Sequence, residues 1–197
     1  MFKKIIILLV SVLVLTASLV APSQVYAFSL TPTTNNIDGS AIQAQTTAIA
    51  QEAQNILVAS QHIQVFATQI QRTETDPQIL SLAASLIALT SQSEQDAAAI
   101  MVTAQDINTR IDNSETTTLA LSADIGAMAD RIGEMADRIL WTELQIGIMA
   151  DRIVESEYLI SDSSLTLAQM ILDEQHTIAG PADSILINVA AIQALLP

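Results

Sequence analysis

The sequence predicts an all-α protein, a long antiparallel helical bundle of about four legs with heptad packing. Isoleucine recurs every seven residues through most of the chain, the spacing at which one face of a helix packs against neighbouring helices. Short polar stretches separate these periodic segments, which indicates legs joined by tight turns. Half of the residues are hydrophobic and there is no cysteine, so burial must stabilise the fold without disulfide bonds.

The first 27 residues predict a signal peptide. Lys3 and Lys4 precede an apolar run, and residues 25–27 (VYA) place small residues at the −3 and −1 positions of a signal-peptidase site. A retained anchor is the alternative, but its spanning helix would need ~20 apolar residues. Residues 28–38 predict a flexible polar tether, and residues 39–197 a single helical-bundle domain. We therefore expect an exported protein, periplasmic or extracellular.

Loss of the signal peptide changes the charge of the protein. Lys3 and Lys4 leave with it, so five arginines face twenty-one acidic residues and the mature net charge is −16. Such a chain should repel nucleic acid and anionic lipid. Basic partners, divalent cations or a simple role in solubility are more compatible with this charge.

Two helices are predicted before residue 115. The first starts where Ser40 and Gln43 resemble a capping box and ends before Asp76 and Pro77, which can cap and open the second. The second is expected to end in a turn near Asn113; a polar step within one longer helix is the alternative. Each carries a large apolar column beside a column of small or apolar residues: Ile42, Ile49, Ile56, Ile63 and Ile70 with Ala53, Ser60 and Ala67, then Ile79, Leu86, Ile100 and Ile107 with Ala83, Ala97, Ala104 and Ile111.

The third helix, expected from about Glu115 to Ile160, contains the pentapeptide MADRI three times. Its isoleucines can be assigned to heptad position a and its methionines to d, the positions of a core seam. The seam consists of Ile125, Ile132, Ile139, Ile146, Ile153 and Ile160 with Met128, Met135 and Met149. The aspartates and arginines take f and g, on the opposite side, and Glu134 and Arg138 are spaced to pair on this solvated face.

Small residues beside the seam predict close packing. Alanines occupy e (Ala129, Ala136, Ala150) and glycines occupy b (Gly126, Gly133, Gly147). Each glycine inside a helix costs about 1 kcal/mol relative to alanine, which close approach of a neighbouring helix would offset. The small-residue columns of the first two helices are the expected neighbours; tolerated accidents are the alternative.

The last leg is expected in two pieces. The polar stretch Ser161–Ser164 separates it from the third helix. Within it, Gly180-Pro181 is a helix stop followed by a start signal, so we predict separate helices over Leu165–Ile178 and Ser184–Leu196.

The residues give no pattern for catalysis, metal binding or a cofactor. The chain has two histidines, and neither His62 nor His176 shows a ligand spacing such as Glu-x-x-His. No phosphate-binding loop, Gly-x-Ser-x-Gly motif or small-molecule site is evident. The methionines at d are typical of a core rather than of a soft-metal ladder. We therefore expect a protein that is not an enzyme.

One stretch interrupts the MADRI repeat. At residues 142–146 the chain reads TELQI, and around it Trp141, Leu144 and Ile148 occupy outer heptad positions that are charged elsewhere. Either the last leg or a shift in packing covers these three side chains, or they form a contact surface for a protein partner or a second copy.

The stretches "DIGAMADRIGEMADRI" and "IGIMADRIV" resemble heptads of exported helical proteins of Gram-negative bacteria, a group with no established activity. The resemblance covers about forty residues and implies export. The sequence thus predicts a non-enzymatic exported scaffold or protein-interaction module. The alternative is an amphipathic bundle that binds lipid or inserts into membranes.

Overall fold

Four long helices make up most of the computed structural model, which describes residues 37–114 and 119–197. Helix α1 spans Gly39–Thr73, α2 spans Pro77–Asp112, α3 spans Leu119–Glu155 and α4 spans Asp162–Leu195, with a 3₁₀ helix, Glu157–Leu159, before α4. The four legs are 34 to 37 residues long, or about 51–56 Å at 1.5 Å per residue. The predicted signal peptide and residues 28–36 of the predicted tether lie outside the described residues.

The helices form an antiparallel bundle in which each leg packs against two others. Helix α1 packs on α2 and α4, and α3 packs on the same two helices. Hydrogen bonds between the legs give the directions: Gln43 near the start of α1 donates to Asp112 at the end of α2, and Thr73 at the end of α1 pairs with Ser164 at the start of α4. The predicted all-α bundle is confirmed.

The isoleucine columns form the core. The isoleucines predicted for the columns of α1, α2 and α3 are fully buried, with two exceptions. Ile111 is partly buried, and Ile160, which lies beyond the end of α3, is also partly buried. Met128 and Met135 are buried, and Met149 is half-buried. Together with the buried residues of α4, such as Ile171 and Ile185, these side chains form one continuous core along the bundle.

The helix starts are fixed by side-chain caps. At α1 the cap is Asp38, whose carboxylate accepts a hydrogen bond from the Ala41 N–H at 3.0 Å, so the predicted Ser40 capping box is wrong. Asp76 caps α2 directly before Pro77, as predicted. Helix α2 ends at Asp112, next to the predicted turn at Asn113. Residues 115–118, predicted as the start of the third helix, lie outside the described residues.

The predicted break of the last leg is wrong, because α4 runs unbroken through Gly180 and Pro181. A proline inside a helix removes one backbone hydrogen bond and costs about 3 kcal/mol. Buried residues continue across it at alternating intervals of four and three: Ile171, Gln175, Ile178, Ala182, Ile185, Val189 and Ile192. Burying each isoleucine contributes roughly 1.5–3 kcal/mol, so packing on both sides outweighs the local stop signal.

The third leg ends earlier than expected, at Glu155 rather than Ile160. The 3₁₀ helix follows, and Ser161 then caps α4 by accepting a hydrogen bond from the Ser164 N–H. The polar stretch predicted as a connection therefore forms the first turn of α4.

Candidate functional site

The outer patch, which we define as Trp141, Leu144 and Ile148, lies on the outside of α3. These side chains are 61%, 56% and 37% exposed, so the alternative in which the last leg covers them is wrong. Thr142 and Ile146, from the same two turns, are buried and face the core. The patch therefore points directly away from the bundle axis.

The glycines of α3 face α4. A Cβ atom built on Gly133 would lie 3.6 Å from Val189, and one on Gly126 would lie 3.4 Å from Leu196. The predicted contact of these glycines with the small columns of α1 and α2 is therefore wrong, since all the atoms nearest to such Cβ atoms belong to α4 or its C-cap. The alanines at e, Ala129, Ala136 and Ala150, are fully buried beside them.

A central polar layer, missed as such by the sequence analysis, crosses the middle of the core. It consists of one side chain from each leg, Ser60, Ser93, Thr142 and Gln175, all between 0% and 6% exposed. Ser60 donates a hydrogen bond to Ser93 across α1 and α2 at 3.1 Å. Two interruptions of the heptads could have revealed the layer: serine stands at 93 in the isoleucine column of α2, and TELQI replaces MADRI.

Glu143 and Gln175 continue the layer between α3 and α4. Gln175 donates a hydrogen bond to the Glu143 carboxylate, and Gly147 provides the space for its amide. A Cβ atom on Gly147 would come within 3.2 Å of the Gln175 Oε1 atom. Burial raises the pKa of Glu143, because removal from water disfavours the charged form; His176 opposes this shift and Asp183 adds to it.

An ion pair joins α2 and α3 about one helical turn away from this layer. Arg138 Nη2 donates to Asp96 Oδ1 at 2.7 Å and Arg138 Nε to Oδ2 at 3.3 Å, and Gln92 also donates to this carboxylate. The hydrogen bond to Asp96 raises the pKa of Arg138. The Arg138 side chain is 52% exposed, as expected for the solvated face, but its ion-pair partner is Asp96, which is only 5% exposed, so the expected pairing with Glu134 is wrong.

His62 makes a polar contact between α1 and α4. His62 Nδ1 lies 2.9 Å from the Glu174 carboxylate, and the His62 side chain is half-exposed. Within the described part of the chain, no group of three or more His, Cys, Asp or Glu side chains could hold a metal ion.

Helix α4 is long and apolar enough to cross a membrane. The most apolar 18-residue window of this helix has a mean hydropathy of 1.4, and 28% of that window is buried in the bundle. A core helix of a bundle passes the same test, and ten residues of α4 are buried in this fold.

No protein-family model, curated protein or solved structure matches this chain.

Proposed function

We propose that this protein is a non-enzymatic exported scaffold or interaction module that binds a protein partner through the outer patch. The exposure of its tryptophan is the observation that carries the proposal. Tryptophan buries a large apolar surface on binding and is enriched among the residues that dominate interface energies. Leu144 and Ile148 extend this surface along α3, so the three side chains form one apolar area.

The acidic surface supports a binding role with a restricted set of partners. The mature chain would carry a net charge of −16 without any lysine, which disfavours nucleic acid and anionic membranes and favours a partner whose contact surface carries basic groups beside an apolar centre.

Capture of partners from the native cell envelope tests this proposal. The double variant Trp141→Glu, Leu144→Glu should keep its helical circular dichroism, because both side chains are exposed, and should lose the partner that the wild type captures. Val65→Glu with Val102→Glu is the matched control, since these side chains are 61% and 68% exposed on α1 and α2. Capture of the same partners by both double variants would contradict the proposal. So would loss of helix in the first variant alone.

Export is a separate part of the proposal and has its own test. Mass spectrometry of the exported protein should give a mature chain that begins at Phe28. A mature chain that retains Met1 would instead indicate an anchored protein.

The second candidate function is lipid binding or membrane insertion, and the hydropathy of α4 is the observation that favours it. For insertion the bundle would have to open and release α4 from α1 and α3. Flotation with zwitterionic vesicles would bring the protein to the lipid fraction under this candidate. The protein should remain at the bottom if it acts only through protein partners.

A further inference from the structure

Two Asp-Arg pairs flank the outer patch symmetrically. Trp141 and Ile148 share heptad position c and lie on one line along the outside of α3. On one side of this line lie Asp137, Leu144 and Asp151, at position f; on the other lie Arg138, Gln145 and Arg152, at position g. The apolar line therefore has an acidic edge and a basic edge.

Contacts to the neighbouring helices confirm these two directions. Asp130, at f, accepts a hydrogen bond from Gln193 of α4, whereas Arg138, at g, binds Asp96 of α2. The acidic edge thus lies on the α4 side of α3 and the basic edge on the α2 side. Arg152 makes no ion pair with any described residue, and its side chain is exposed, so it is available to a partner.

This arrangement complements itself in one orientation only. When two copies of α3 face each other in parallel about a two-fold axis along the helices, the acidic edge of each lies against the basic edge of the other. Asp151 then lies beside Arg152 of the second copy, offset by one residue, or about 1.5 Å along the axis. In an antiparallel pair the two-fold axis would place acidic edge on acidic edge and basic edge on basic edge.

We propose that the outer patch binds a second copy of this chain, with the two α3 helices parallel. Trp141 and Ile148 of one copy then face Trp141 and Ile148 of the other across the two-fold axis. This inference rests on the proposed binding role of the patch and names the partner. Glu134 and Glu155 also lie on the line of position c, one heptad beyond each end of the patch. Each would face its own copy, so like charges end the contact on both sides and limit it to a short helical segment.

A contact of this size, made by one helix of each copy, forms a weak dimer, because stable complexes bury surfaces of about 1,600 Å². Analytical ultracentrifugation of the wild type should therefore cover concentrations from about 10 µM to 1 mM. The weight-average mass should rise towards twice that of the monomer across this range.

Cross-linking distinguishes the two orientations, and the absence of native cysteine makes single-cysteine variants specific. With a short thiol-specific cross-linker, Glu155→Cys alone should yield a dimer, because identical residues meet in a parallel pair. Val65→Cys, on α1, is the exposed control and should remain monomeric. A product formed only when Glu134→Cys and Glu155→Cys are mixed would show an antiparallel pair and overturn the proposal.

Charge reversal tests the edges independently. Asp151→Arg should weaken the dimer by about tenfold, since it places arginine against Arg152 of the second copy twice per dimer. Adding Arg152→Asp to the same chain should restore the association. Asp173→Arg makes the same charge change on α4, away from the patch, and should leave the dimer unchanged. Tighter association of Asp151→Arg would contradict the parallel arrangement.

A wild type that stays monomeric up to 1 mM would overturn the self-association proposal. The proposed interaction function would survive that result if an envelope protein is captured by the wild type and lost in Trp141→Glu, Leu144→Glu. If Trp141→Glu, Leu144→Glu captures the same envelope proteins as the wild type, the patch does not bind other proteins. That conclusion holds whether or not the wild type forms a dimer.

Discussion

Replacement of Arg138 by glutamine should destabilise the bundle far more than the same change at Arg131, although both occupy the same position of the MADRI repeat. Arg138 donates two hydrogen bonds to the Asp96 carboxylate. Arg131 lies one heptad earlier, is exposed and makes no ion pair with any described residue. The two variants therefore compare an arginine that has a buried partner with one that has none.

The magnitude follows from what remains around Asp96. Without Arg138 this carboxylate, 5% exposed, keeps a single side-chain donor, the Gln92 amide at 3.3 Å. Removing one partner of a fully buried ion pair costs about 3–5 kcal/mol. The Arg138 side chain is 52% exposed, so water replaces part of the interaction, and we expect a loss of about 2 kcal/mol. Arg131→Gln should change the stability by at most about 0.5 kcal/mol.

Urea unfolding followed by circular dichroism measures both free energies of unfolding. A third variant, Asp96→Leu with Arg138→Met, removes both charges and should lie within about 1 kcal/mol of the wild type, because no carboxylate is left buried without a partner. Equal stabilities of Arg138→Gln and Arg131→Gln would refute the assignment of the Asp96 pair as a structural contact. If the third variant were as unstable as Arg138→Gln, the unpaired Asp96 carboxylate would not be the cause of the destabilisation.

Three further predictions use the same assay. Ile132→Ala should cost about 2–5 kcal/mol, since this fully buried side chain belongs to the α3 column; a loss below 1 kcal/mol would contradict that placement. Gly133→Ala should stabilise the protein by about 1 kcal/mol, because its new Cβ would make an ordinary contact with Val189. Gly147→Ala should not stabilise it, because the new Cβ would crowd Gln175. Equal effects of the two substitutions would refute this difference. Burial raises the pKa of Glu143 above its ordinary 4.5, so the folded state holds this proton more tightly than the unfolded state. The resulting stabilisation is complete below about pH 4.5 and is lost as the pH rises through the folded-state pKa. The free energy of unfolding of Glu143→Gln relative to the wild type should therefore increase with pH. A constant difference between the two proteins from pH 3 to 8 would contradict this prediction.

The bundle could be predicted because heptad spacing is a direct consequence of helix geometry. Residues seven apart on a helix return to nearly the same face, so the columns through Ile56, Ile100 and Ile132 indicated the buried side of each leg without any tertiary information. The start of α2 at Asp76-Pro77 was predictable for a similar reason, since the capping hydrogen bonds join residues no more than three positions apart.

The failures concern relations between legs. A single helix shows which face is buried but not which neighbour covers it, so the glycines of α3 were assigned to α1 and α2 although they face α4. Local propensity alone predicts a break at Gly180-Pro181, because it does not include the packing of Ile178 and Ile185 on either side. The partner of Arg138 lies 42 residues earlier in the chain, beyond any local spacing rule.

The outer patch illustrates both outcomes. Its three residues were identified because they depart from a charged repeat, and this departure is visible in the sequence alone. Whether they are covered depends on where α4 lies, so the sequence left two alternatives open. The structure leaves Trp141 61% exposed and so excludes the alternative in which the last leg covers it.

The central polar layer gives the bundle what the repeated columns lack, a means of fixing how far each leg is shifted along its neighbour. If α4 slipped by one heptad along α3, isoleucines would still meet isoleucines, so burial of the isoleucine columns alone hardly opposes the shift. Gln175, however, would then face Ala150 in place of Glu143, and its buried amide would lack an acceptor, at a cost of about 1–3 kcal/mol. It would also meet Val154 in place of Gly147, where the present space for the amide depends on the missing side chain. The polar residues that interrupt the heptads therefore specify the alignment of the legs, while the isoleucine columns supply most of the stability.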